Sequence, residues 1–138
     1  TKQGQSIHFE TKDIAAIGRV TAGVKAIKLA EDDEVLVGLP IKNNEDTVAV
    51  FAENGQAKKT ALSEFPIQGR GGKGVVVYKA NPGTGAIIGA AMVNDEDNIL
   101  LIGKNSICIS AQEVPLLGRT ATGNIMIKNG KISSVVKL

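Results

Sequence analysis

Apolar side chains come along this chain in short runs rich in Val and Ile, and no run shows the 3.6-residue period and caps of an amphipathic helix. The runs at 24–29, 34–37, 47–51, 75–78, 86–88, 99–102 and 125–127 predict β-strands. Turn-forming residues part them: Glu31-Asp32-Asp33, Asn81-Pro82-Gly83-Thr84-Gly85, and Asn129-Gly130. The last, set between 125–128 and 131–135, is the strongest short-range hairpin signal in the chain. Helix content is expected to be very low.

The runs belong to a repeat. Asp13-Ile14-Ala15-Ala16-Ile17-Gly18-Arg19, Glu64-Phe65-Pro66-Ile67-Gln68-Gly69-Arg70 and Glu113-Val114-Pro115-Leu116-Leu117-Gly118-Arg119 superimpose without gaps at spacings of 51 and 49 residues. The match runs on through Gly23, Gly74 and Gly123 to Lys28, Lys79 and Lys128, each ending an apolar stretch. Strands in units of this length are the pattern of blades set around an axis. The expected fold is therefore all-β, a propeller-like repeat of about three four-stranded antiparallel blades, with units at 1–46, 47–97 and 98–138.

Composition alters this reading at three points. The net charge of +2 argues against a nucleic-acid binder until its distribution is considered: residues 1–97 hold 11 basic and 13 acidic side chains, and 98–138 hold five and one. Cys108, the single cysteine, has no internal partner, and its place in Ile107-Cys108-Ile109 reads as a small buried hydrophobe of a protein from a reducing cytoplasm. No leader precedes the first run and no stretch approaches a membrane span; Thr1 in place of an initiator methionine suggests a piece of a longer chain.

The Gly-Arg segments give a resemblance that covers essentially the whole chain. Gly18-Arg19-Val20-Thr21-Ala22-Gly23-Val24 with Glu31-Asp32-Asp33-Glu34-Val35 resembles the C-terminal domain of the DNA gyrase A subunit and its topoisomerase IV counterpart. Gln68-Gly69-Arg70-Gly71-Gly72-Lys73-Gly74 is similar to the gyrase box, Gln-Arg-Arg-Gly-Gly-Lys-Gly, and departs from it at Gly69. The resemblance implies a β-pinwheel, in which neighbouring blades exchange strands and a basic rim bends or wraps double-stranded DNA. It implies a cytoplasmic, nucleoid-associated parent, an ATP-dependent type IIA topoisomerase, whose partners are the rest of the A subunit and the ATPase B subunit, with no membrane. It also implies that this region holds no catalytic residue and no cofactor. Because the box lies in the middle unit, gyrase and topoisomerase IV both remain open. Three units are fewer than a family ring holds, which leaves part of a ring or a half-ring pairing with a second copy.

The residues support DNA on physical grounds as well. A gapless repeat places Arg19, Arg70 and Arg119 at equivalent points of successive blades, and likewise Lys28, Lys79 and Lys128, so that isolated charges form a curved stripe able to neutralise phosphates. The glycines of residues 69–74 suit close approach of backbone to phosphate between Arg70 and Lys73. Lys59, which stands where His8 and Cys108 stand, is a further expected rim contact. Competing with this is a tight interblade turn whose arginine is solvated or paired with Asp13, Glu64 or Glu113, and lysines that only guard strand ends. Tyr78 takes the place of Ile27 and Ile127 and is expected in the core rather than as a nucleophile. Phe9, Phe51 and Phe65 also read as core, which sets aside single-strand binding by stacked aromatics. Residues 69–74 lack the spacing of a phosphate-binding P-loop, and one His and one Cys give no metal site. The alternative function is a propeller-type module that binds another protein.

Overall fold

A computed structural model describes residues 1–44, 46–128 and 130–138. Its strands are β1 (Gln5–Ser6), β2 (Thr47–Ala52), β3 (Gln56–Ala61), β4 (Val75–Val76), β5 (Ile87–Val93), β6 (Asn98–Gly103), β7 (Ile107–Ser110), β8 (Asn124–Ile125) and β9 (Ile132–Lys137). The only helical elements among the described residues are single 3-10 turns, Thr11–Asp13, Leu62–Glu64 and Ala111–Glu113, one at the same point of each unit. The fold is all-β, as the periodicity predicts.

Three antiparallel sheets form among the described residues, and their membership does not follow the order of the chain. The middle sheet has the order β5-β2-β3-β8, the last has β7-β6-β9, and β1 pairs with β4. Each unit after the first therefore gives one strand away: β4 of the second unit pairs with β1 of the first, and β8 of the third completes the sheet of the second. The expected hairpin across Asn129-Gly130 is not formed. Asn129 lies outside the described residues, but β8 and β9 on either side of it enter different sheets. Turn chemistry is local, whereas the edge of β3 is a partner that lies some distance back in the sequence.

The repeat glycine makes this exchange possible. Gly23, Gly74 and Gly123 have φ of 81°, 74° and 77°, the left-handed region that a Cβ disfavours. At Gly74 an added Cβ would stand 2.0 Å from the Ser6 carbonyl oxygen, and at Gly123 2.3 Å from that of Ala57. Only glycine lets the donated strand approach so closely.

The middle sheet is covered on both faces, which explains why β2 reads as a continuous apolar run rather than an alternation. Ala49 and Phe51 point into one core with Val93, Ile99, Leu101 and Ile132. Val50 and Ala52 point into another with Phe65, Tyr78 and Ile87. β3 is hidden from a hydropathy reading because Lys58 and Lys59 stand in it, yet both are buried.

Two expected strands are not realised. Among the described residues, 24–29 and 34–37 pair with nothing in a sheet. The first corresponds to β4 and β8, whose partners are strands of the preceding unit. The second corresponds to the start of β5 and β9, whose partners are β2 and β6, and residues 1–46 contain no counterpart of these. In that position lies an apolar groove of about 840 Å³ bordered by Leu36, Val37, Leu39, Val50 and Ile87. Cys108 is exposed rather than buried, because β7 is the edge of its sheet.

The two glycine environments predict graded costs. Gly23→Ala, which meets no atom within 4 Å, should lower the unfolding free energy by about 1–2 kcal/mol through the left-handed conformation alone. Gly123→Ala should cost about 3–4 kcal/mol, since the Ala57 carbonyl must move as well. Urea midpoints of the two variants check the order.

Candidate nucleic-acid interface

The Gly-Arg turn of the second unit lies against the unpaired segment of the first. Gly71 N donates to Ala26 O at 2.6 Å and Lys28 N donates to Gly72 O at 2.8 Å. Arg70 donates from Nε to Asp13 O at 2.8 Å and from Nη1 to Lys25 O at 3.2 Å. Four exposed cations are thereby drawn to one place: Lys25, Lys28, Arg70 and Lys73. Gly71 has φ 85° and Gly69 and Gly72 are exposed, so the backbone of the turn is open to solvent beside these charges. Gln68 and Gly74 anchor its two ends, through Gln68 N to His8 O at 2.7 Å and through the close approach of Gly74 to Ser6.

Arginine carries two duties here. Arg119 Nη1 donates to Val76 O at 2.9 Å, the counterpart of the Arg70 bond to Lys25. Its backbone N–H donates to Glu64 Oε2 at 3.1 Å. Each arginine thus clasps the strand of the unit before its own, and the acid that Arg119 meets belongs to that preceding unit too. Arg19 is exposed and makes no hydrogen bond or ion pair among the described residues. Lys73, Lys79 and Lys128 are likewise exposed.

Lys59 is not a rim residue. Its side chain is 8% exposed, pairs with Asp95 and donates to Ala111 O at 3.0 Å. The next unit passes over it, with Lys59 N donating to Pro115 O and Leu117 N to Lys59 O, both at 2.8 Å. The counterpart His8 sits in the same manner under the second unit, its Nδ1 3.0 Å from Phe65 O.

Lys58, which the sequence did not single out, is fully buried. Its Nζ donates to Gly118 O at 2.6 Å and to Arg119 O, and stands 5.7 Å from the centre of the Tyr78 ring. Burial pushes its pKa down to about 8, with Arg119 adding to the effect and Glu64 opposing it. The ammonium holds two carbonyls of the turn inward, so the N–H groups of the same peptides face the other way. Tyr78 lies in the core as expected; its hydroxyl donates to Thr122 O, and burial raises its pKa to about 12.

Lys25 was also missed. Its position holds Val76 and Ile125 in the other units, and a lysine replacing the apolar residue of a repeat is the signal that would have found it.

The comparisons with known proteins bear on this surface. The chain matches the family described as DNA gyrase C-terminal domain, beta-propeller, over residues 1–42, 46–94 and 107–137. The chain belongs to that family. It is 35% identical over 137 residues to the DNA gyrase A subunit of Klebsiella oxytoca, covering 98% of this chain and 16% of that protein. With the gyrase A subunit of Escherichia coli K12 it shares 31% identity over 138 residues, 99% of this chain and again 16% of that protein. The chain therefore spans about a sixth of the gyrase A subunits it matches. A crystal structure of the C-terminal domain of DNA topoisomerase IV superimposes with a TM-score of 0.92 at 26% identity, over 99% of this chain and 44% of that one. A DNA gyrase A C-terminal domain superimposes at 0.89 and 30% identity, over 99% and 48%. Membership of the family thus rests on sequence and backbone together, and the exchanged strands are its propeller seen over three units.

Lys58 gives a pH prediction. Below pH 8 it is protonated in both folded and unfolded chains and contributes no slope; from about 8 to 10.5 the unfolded chain holds the proton more tightly, so stability rises with pH. The urea midpoint of the native chain, taken relative to that of Lys58→Met, should therefore rise across that window.

Proposed function

We propose that this domain binds duplex DNA along the exposed cations of its rim and bends it. In this reading it guides DNA for a type II topoisomerase whose A subunit contains it and whose ATPase B subunit works with it. The observation that carries the reading is the cluster of Lys25, Lys28, Arg70 and Lys73, exposed and gathered on a glycine-rich turn. Lys79 and Lys128 continue the Lys28 position onto the later units, and Arg19 and Arg119 continue that of Arg70. The glycines of residues 69–74 let a phosphate approach main-chain N–H groups between two charges. Phosphate contacts of this kind fix register on the duplex without reading bases.

Three of the four aromatic side chains are buried, and Phe9, expected in the core, is half-buried beside the apolar groove, which supports a duplex over a single strand. Phe51, Phe65 and Tyr78 are all in the core and offer no stacking platform. Lys59 drops out of the proposed contact set, and the two clasping arginines enter it with only part of each guanidinium free for phosphate.

The test uses a duplex of about four helical turns with a fluorophore at each end, titrated across a salt series. The native domain should bind and draw the ends together. Lys25, Lys28 and Lys73 changed together to Ala should lower the log–log salt slope by about 0.9 for each phosphate that is no longer neutralised. Lysines rather than Arg70 are changed, because removing Arg70 also breaks two interblade hydrogen bonds. Absence of binding even at low salt would favour the protein-interaction module instead.

A further inference from the structure

The second and third units carry the same Gly-Arg turn and back it differently. Behind the second turn stands Ile7, whose Cδ1 would lie 3.8 Å from a Cβ added at Gly72. Lys58 holds the place of Ile7 behind the third turn. Its buried Nζ donates to Gly118 O at 2.6 Å and to Arg119 O. In a trans peptide the N–H points opposite to the C=O. The N–H groups of Arg119 and Thr120 are therefore aimed away from the ammonium, at a surface where Gly118 and Thr120 are exposed. Adjacent N–H groups with a cation behind them are the elements of an anion site.

That site is filled by the chain itself. The Arg119 N–H donates to Glu64 Oε2 at 3.1 Å. Glu64 is exposed, and among the described residues its carboxylate pairs with no lysine or arginine side chain. The second turn has no such occupant. Asp13 stands where Glu64 stands, one methylene shorter, and the Arg70 N–H has no acceptor among the described residues. Lys73 takes the place of Thr122 and adds a cation there. The contact of Glu64 with Arg119 lies at the junction of the second and third units, well inside the chain. Gly69, Arg70, Gly72 and Lys73 are exposed with the third unit in place, so a following unit leaves a turn of this kind open.

We propose that the Glu64 carboxylate is a stand-in for a phosphate at the Gly118-Arg119 turn, and that a DNA phosphate must displace it before the main chain of that turn joins the rim. The inference rests on the DNA binding proposed above and refines it: the second unit grips the duplex most strongly, and Glu64 sets how much the third unit adds. A carboxylate and a phosphate diester each offer an anionic oxygen to an N–H, and the Arg119 N–H serves one at a time. Displacement costs Glu64 its hydrogen bond and leaves its charge beside the phosphate, which lowers the return from this contact.

The test measures duplex binding across a salt series for the native domain, Glu64→Gln, Glu64→Asp and Glu96→Gln. Glu64→Gln should bind roughly three- to tenfold more tightly, with a log–log salt slope steeper by about 0.9, the value of one more neutralised phosphate. Glu64→Asp keeps the charge but withdraws it by a methylene, as at Asp13, and should recover most of that slope with a smaller gain in affinity. Glu96→Gln removes the same charge from an exposed residue between β5 and β6 and should leave the slope at its native value. A native domain that binds while Glu64→Gln and Glu96→Gln match each other overturns the role of Glu64 alone, as does Glu64→Asp behaving as the native chain. Failure of every chain to bind at low salt overturns the DNA reading itself. The Arg119 amide resonance locates the contact: in Glu64→Gln it should move with duplex and stay in place with inorganic phosphate at equal ionic strength. An equal shift with inorganic phosphate would make the turn a site for any small oxyanion and overturn its assignment to DNA.

Discussion

At Gly74 and again at Gly123 the backbone passes so near a carbonyl oxygen of the preceding unit that a single side-chain carbon would collide with it. The rest of the structure depends on that crossing. It lets β4 and β8 leave their own units, so that sheets are shared between neighbours, and the core of Ala49, Phe51, Ile99 and Leu101 lies between units. Arg119 then ties the donated strand β4 and Arg70 the corresponding segment of the first unit at Lys25, while Glu64 and Lys58 meet the polar groups of the Gly118-Arg119 turn.

The sequence disclosed the repeat, the absence of long helices and the positions of most strands, because apolar runs and gapless spacing are local properties. It did not disclose which strand pairs with which. Asn129-Gly130 carries the chemistry of a hairpin, yet the flanking strands part, since the edge of β3 offers β8 a partner that no local signal announces. β3 itself was obscured by Lys58 and Lys59. A lysine in a strand reads as exposed, and these two are buried because the next unit brings carbonyls within reach of both and Asp95 pairs with the second.

The same reasoning separates the cations of the candidate site. Position in the repeat identified Arg70, Lys28, Lys79 and Lys128, and the glycine-rich segment identified Lys73, all of which are exposed. It misjudged Lys59, which the third unit covers, whereas its counterpart Cys108 lies exposed on the edge strand β7. It passed over Lys25, which breaks the apolar pattern of its position and thereby joins the cluster on the turn. Arginine could not be sorted by sequence at all: a guanidinium has about five N–H donors in a fixed fork, enough to hold a neighbouring backbone and still face solvent.

Sharing a strand also sets a clock on synthesis. β3 is finished at Ala61, but the strand that closes its edge begins at Asn124. At about 5–20 residues per second the ribosome needs roughly 3–12 s to supply it. Throughout that interval the nascent middle sheet carries a bare edge, with Lys58 in it and the carbonyls it will bind not yet made. The order of translation thus exposes for seconds a surface that the finished protein never shows.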